Sequence, residues 1–227
     1  MMIESLTYFG VKQSLNDVYL ASLNAAMDRY EINTALRASH FMAQVLHESG
    51  MLQYAEELAS GSAYEGRQDL GNIQAGDGEK FKGRGFIQLT GRKVYLTYGA
   101  FTAQDFVDHP QLVATPQYAA DSAGWFWNVF KKDSAGNSLN MMADTDQFLR
   151  ITYFVNGGFN GVADRLRLLD RSYTMFGVTD GRAKVESILH VALENITNES
   201  RGHMEQSLLK HFPDEASIQQ AREGLDK

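Results

Sequence analysis

Eight glycines, Gly61, Gly66, Gly71, Gly76, Gly78, Gly83, Gly85 and Gly91, crowd the stretch from Ala59 to Arg92. Each costs roughly 1 kcal/mol relative to alanine inside a helix, so no long helix runs through it. The stretch reads as loops with one short hairpin. On both sides apolar residues recur at helical spacing, which predicts a mainly α fold with one glycine-broken segment set into it.

The helical segments follow in order. Ser14 is placed to cap SLNDVYLASLNAAMDRY, in which Leu15, Val18, Tyr19, Leu23, Ala26 and Tyr30 recur at helical spacing. Asn33 or Thr34 caps a second helix carrying Leu36, Phe41, Val45 and Leu46, and Gly50 stops it. Glu48 falls in that helix's last turn. Thr115 and Pro116 begin PQYAADSAGWFWNVF, whose apolar face makes Trp125 and Trp127 core residues rather than sugar platforms. Asp144 or Thr145 opens DQFLRITYFV, which runs into the turn Asn156-Gly157-Gly158, and VADRLRLLDRSYTMF forms another helix ended by Gly177. From about Gly181, Val185, Ile188, Leu189, Ala192 and Leu193, then Met204, Leu208 and Leu209, continue the helical pattern.

With 227 residues, 44% of them hydrophobic, the chain is long enough for one sizeable core. A formal net charge of −7 argues against a nucleic-acid partner, because phosphate binding is dominated by Lys and Arg. The absence of cysteine excludes disulfides, metal-thiolate sites and a thiol nucleophile. The start MMIESLTYFGVKQSLNDVYL has no basic end followed by an apolar run, and no stretch of about 18 apolar residues occurs. Neither signal-peptide export nor stable membrane insertion is expected.

Between His47 and Arg92 three carboxylates, Glu48, Glu57 and Glu65, precede a basic segment that carries Gln88 and Thr90. Hydrolysis of a glycosidic bond needs one carboxylic acid to protonate the leaving oxygen and one carboxylate to activate water or attack the sugar. The stretch is thus a carbohydrate-cleaving site in outline. Glu57 has Glu56 beside it, and Glu65 is flanked by Tyr64 and Arg67, groups able to orient it; both glutamates are candidates for the base. Lys80, Lys82, Arg84, Arg92 and Lys93 suit either anionic contacts or a solvated basic face. Zinc hydrolysis through H-E-x-x-H would need histidine where Met51 stands, G-x-G-x-x-G fails at Gln88, and the phosphate-loop spacing fails between Gly85 and Gly91. No metal and no cofactor are expected.

HESG at 47–50, Glu57 nine positions after Glu48, GRGFIQLTGRKVY at 83–95, VNGG at 155–158 and VADR at 162–165 together resemble glycoside hydrolase family 19. That family contains chitinases and many bacteriophage endolysins, and AYEGRQDLGN and GDGEKFKGRGFIQLTGR are most similar to the endolysin branch. The motifs lie in the family's order between residues 47 and 177, and the general likeness begins near Leu15. The resemblance implies a mainly helical, lysozyme-like fold of two lobes around a sugar-binding cleft, and hydrolysis with inversion. It implies that Glu48 is the general acid, Glu57 the general base, and Thr90 a hydroxyl that helps hold the attacking water. Gln88, Asn156 and Arg165 match positions that line the cleft or hold the catalytic carboxylates, and Tyr95 matches an aromatic in the sugar groove. Glu65 remains the rival base, or else a substrate contact. One departure is Val94, where many members have asparagine, which removes a hydrogen bond to substrate or base.

The resulting expectation is a peptidoglycan glycan-strand hydrolase, cleaving the β-1,4 bond between N-acetylmuramic acid and N-acetylglucosamine, as a phage endolysin or antibacterial toxin domain. The alternatives are a chitinase, or a cell-wall-binding protein that has lost turnover. Residues 1–180 would form the catalytic domain, and 181–227 a helical extension packed on it or binding an immunity or delivery protein. The protein would be a monomer, made in the cytoplasm and brought to the wall by a holin or secretion machine.

Overall fold

The computed structural model describes residues 2–194. In chain order the helices are α1 (Gln13–Arg29), α2 (Ala35–Glu48), α3 (Asp77–Lys80), α4 (Arg92–Thr102), α5 (Pro116–Trp125), α6 (Leu139–Asp144), α7 (Phe148–Asn156), α8 (Val162–Phe176) and α9 (Gly181–Glu194). Short 3₁₀ turns occupy Leu6–Phe9, Ser62–Tyr64, Gln68–Leu70 and Pro110–Ala114, and a π-helical turn, Phe126–Phe130, extends α5. The described residues form no sheet. Extended pairing is confined to the single antiparallel bridges Glu56–Arg84, Arg84–Leu89 and Lys132–Ser138. In place of a hairpin, therefore, the glycine-rich segment has one tight turn closed by reciprocal Arg84–Leu89 backbone bonds of 3.1 and 2.8 Å. No described helix is long and apolar enough to cross a membrane.

The chain divides into two compact units. Among the described residues, the first joins 2–33 to Glu48–Ser138, and the second joins Thr34–His47 to 139–194. In the first unit α1 packs on α5. Its interior holds Trp125 and Trp127, both buried as the apolar pattern predicts. Asp121 is buried there among three donors: the Arg29 guanidinium at 2.9 Å and the hydroxyls of Tyr30 and Tyr98 at 2.9 and 2.6 Å. A buried carboxylate persists only with partners of this kind. Burial, followed by the charge of Asp121, pushes the Tyr30 and Tyr98 hydroxyls well above the ordinary tyrosine range, so both stay protonated donors.

In the second unit α2 is the central element, with every residue from Ala38 to Leu46 buried. Two of its buried polar members, Gln44 and His40, are matched from other elements, whereas the Ser39 hydroxyl has no hydrogen-bond partner among the described residues. Gln44 donates to the Thr152 hydroxyl at 3.1 Å and accepts from Arg165 at 2.6 Å. His40 reaches Asp146 at 2.7 Å, and Asp146 is held further by Tyr173 and by Lys184 at 2.9 Å. Helix α9 packs on α7 and α8, burying Val185, Leu189 and Ala192. The expected helical pattern beyond Glu194 lies outside the described residues.

Several expected boundaries differ. Ser14 is the second residue of α1 rather than its cap; Lys12 occupies that position without a side-chain bond. Thr34 does cap α2, its hydroxyl accepting from the Arg37 amide at 3.2 Å. Asp144 ends α6 and pairs with Arg37 instead of opening α7, which begins after Gln147. Helix α3, within the stretch read as loop, and α4, which begins at that stretch's last residue, are additional elements.

Candidate active site

Glu48 is the final residue of α2, half-buried. The chain then turns through Gly50, Met51 and Leu52, all with left-handed backbone (φ of 55°, 63° and 64°). Two successive non-glycine residues in that region are costly, and such strain persists only where the surroundings enforce it. Here the Leu52 side chain is fully buried and its amide donates to the Ser49 hydroxyl at 2.9 Å. This sharp reversal forms the start of the connection between Glu48 and Glu57.

Successive side chains on an extended segment point to opposite faces, and the acidic pair separates on that principle. Glu56 forms the bridge with Arg84 and ion-pairs with its guanidinium at 3.0 Å and with Lys82 at 3.2 Å. Glu57 takes no cation on its carboxylate among the bonds seen. One oxygen accepts from the Tyr64 hydroxyl and the other from the Gly83 amide, each at 3.0 Å. Its own amide donates to the Gly83 carbonyl at 2.9 Å. A Cβ at Gly83 would lie 2.6 Å from the Gln88 side-chain oxygen and 3.2 Å from the Glu57 carboxylate. Glycine at 83 is therefore what lets Gln88 and Glu57 converge. Gln88 itself sits at φ 53° with its side-chain Nε2 donating to the Gly85 carbonyl at 2.8 Å. The Thr90 hydroxyl donates to the Gln88 carbonyl at 2.9 Å, which leaves its lone pairs available to accept.

Glu65 occupies a different position. Both of its oxygens accept backbone amides, from Gly76 and Gly78, each at 2.8 Å. The groups expected to orient it go elsewhere: Tyr64 to Glu57, and Arg67 to Asp69 at 2.7 Å. Glu65 thus closes the loop of residues 65–78 onto the start of α3. Tyr95 is a correction. Rather than presenting a face to a sugar, it is fully buried, its hydroxyl donating to the Lys82 carbonyl at 2.7 Å and accepting from Arg84 at 3.1 Å. Burial, offset in part by Arg84, pushes that hydroxyl up to about 12. Most of the basic residues are likewise engaged: Arg92 pairs with the buried Asp77 and stacks over Phe81 at 4.7 Å, and Arg84 and Lys82 serve Glu56.

Asn156 and Arg165 belong to the second unit. Asn156 is exposed at the end of α7. Arg165 is fully buried on α8, bonded to Gln44 and to the Asn160 carbonyl. In the same unit His47, the residue before Glu48, is held by Asp164 at 2.8 Å. Burial opposes ionisation of Asp164, but hydrogen bonds from His47 and Arg167 outweigh it and hold the carboxyl well below the usual range. The sequence reading missed two residues that build the site, Tyr64 as partner of Glu57 and Gly83. The only sequence signal for Tyr64 was its place in AYEGR.

The glycoside hydrolase family 19 model, described as chitinase class I, matches residues 38–143. A glycosyl hydrolase family 19 domain-containing protein of Haemophilus influenzae is 24% identical over 79% of this chain and 98% of its own length. An endochitinase of Arabidopsis thaliana is 33% identical over 59% of this chain, which spans only 44% of that protein. The fold is similar to that of chitinase C from Streptomyces griseus, with a TM-score of 0.63 at 22% identity over 77% of this chain and 75% of that one. The mainly helical architecture, the matched region and these relatives agree: this chain is similar to glycoside hydrolase family 19, with residues 38–143 matching that family's model.

Proposed function

We propose that this chain hydrolyses β-1,4 bonds of peptidoglycan glycan strands, between N-acetylmuramic acid and N-acetylglucosamine, with inversion at the anomeric carbon. The observation that carries the chemistry is Glu57 held by two neutral donors, with the Gln88 side chain converging on it at Gly83. A water there donates one proton to Glu57 and the other to Thr90, which points an oxygen lone pair at the sugar. Glu48 delivers the proton to the leaving oxygen. Glu65, tied by two amides, is a loop anchor rather than the base.

The choice of peptidoglycan rests on the likeness of AYEGRQDLGN and GDGEKFKGRGFIQLTGR to the endolysin branch. A second reading, chitin, is favoured by the relatives that are named endochitinases. Both polymers share the linkage and the N-acetylglucosamine unit. Mass spectrometry of products from purified sacculi, run beside chitin oligomers, separates them: released disaccharides from sacculi are expected, and cut chitin with intact sacculi would transfer the substrate to chitin. Delivery to the wall by a holin or a secretion machine, with an immunity or delivery partner, belongs to the same proposal.

A further inference from the structure

We propose that Tyr64 is a positioning residue for the base, setting both the orientation of the Glu57 carboxylate and the pH at which it becomes active. This rests on the reading of Glu57 as base.

The backbone of Tyr64 is fixed on several sides. It ends the 3₁₀ turn Ser62–Tyr64, its amide donating to the Gly61 carbonyl at 2.9 Å. Gly61 has φ 88°, and a Cβ there would meet the Gly78 carbonyl at 2.5 Å, so that turn requires glycine. The Tyr64 carbonyl accepts from Asn72 at 2.9 Å, and Asn72, fully buried, in turn accepts the first amide of α4 from Arg92 at 2.8 Å. The next residue, Glu65, is tied to Gly76 and Gly78. Every one of these bonds fixes main chain or a neighbour. The half-buried phenol itself is spent on Glu57, at 3.0 Å.

Glu57 receives one donor per oxygen, Tyr64 on one and Gly83 on the other. Two donors on different oxygens fix the plane of a carboxylate as well as its place, which is what a base aimed at one water needs. Both donors are neutral. A cation would bind the carboxylate so strongly that its basicity would fall, whereas a phenol and an amide favour the charged form more mildly. Burial, followed by the bond to Glu57, raises the Tyr64 hydroxyl above its ordinary range, so the donor keeps its proton throughout the working range of a hydrolase.

The test is the pH dependence of kcat/KM on whichever polymer the wild type cleaves. Tyr64→Phe removes only the hydroxyl. It is expected to lower kcat/KM roughly 10-fold, the effect of losing one hydrogen bond to a charged group, and to move the acid limb up by about one pH unit. Incorporation of 3-fluorotyrosine at position 64 keeps the ring and makes the phenol a better donor, so it should move the acid limb down. An acid limb unmoved in both proteins, with Glu57→Gln inactive, overturns the role of Tyr64 and leaves Glu57 as base. A Glu57→Gln protein of normal activity overturns the base assignment and the proposal with it.

Discussion

At the scale of single residues, the site depends on a missing side chain as much as on those present. Gly83 donates one of the two bonds to Glu57, and the space where its Cβ would lie is filled from the other side by Gln88. The nearest obstacle to a Cβ is the far end of a flexible side chain, not backbone. Gly83→Ala should therefore be cheap to fold and expensive to use: Gln88 swings away, and Glu57 loses its alignment with the water. We expect kcat to fall at least about 10-fold, within the range spanned by misplacing a general base, while the urea midpoint changes little. A variant that loses stability and activity in proportion would show that Gly83 serves the fold alone. Position 83 was legible in the sequence only as part of GRGFIQLTGR; that its emptiness brings two side chains together is a fact of three dimensions.

Among the elements, those whose determinants are local matched the sequence. Helix α8 has a buried stripe, from Val162 through Leu166, Leu169 and Tyr173, and ends at Gly177 in the left-handed conformation, as expected. Helix α4 was missed because its start is capped from a distance, the Arg92 amide bonding to Asn72 rather than to a neighbouring side chain. The start of α7 was misplaced for a similar reason. Asp146, just before it, takes φ 59° and is held there by His40 of α2, Tyr173 of α8 and Lys184 of α9. Burial opposes the Asp146 charge, but these three bonds outweigh it and hold the carboxyl far below the usual range. Because the folded value is depressed, the stabilisation is fully present above the unfolded value of about 3.9 and is lost as pH falls below it. Asp146→Asn should consequently lower the urea midpoint of the protein at pH 7 and do so somewhat less at pH 3, because the stabilisation is lost only progressively as pH falls towards the folded value. The same gap at both pH values would mean that the carboxylate's charge contributes nothing to joining these helices.

For the molecule as a whole, α9 packs on α7 and α8 within the second unit. Val185, Leu189 and Ala192 are essentially inaccessible to solvent against α7 and α8, and Lys184 completes the Asp146 cluster. Full burial of a valine or leucine side chain stabilises by about 1.5 to 3 kcal/mol, so these two residues together contribute several kcal/mol. A typical domain has only about 5 to 15 kcal/mol of net stability. Cutting the chain after residue 180 would also leave the apolar faces of α7 and α8 in water and deprive Asp146 of one of its three donors. We therefore propose that the family 19 fold of this chain needs residues 181–192 to be stable, and that a division at residue 180 cuts through a core. The truncated protein should show a strongly lowered or absent thermal transition, together with loss of hydrolysis. A milder variant isolates the packing contribution: Leu189→Ala in the full chain should cost about 2 to 5 kcal/mol, as large-to-small changes in cores do, without altering the pH profile of whatever activity survives. Thermal melts of both proteins beside the wild type decide the matter, because a fully folded, wild-type-like transition in the truncated chain would mean that the second unit is complete without α9.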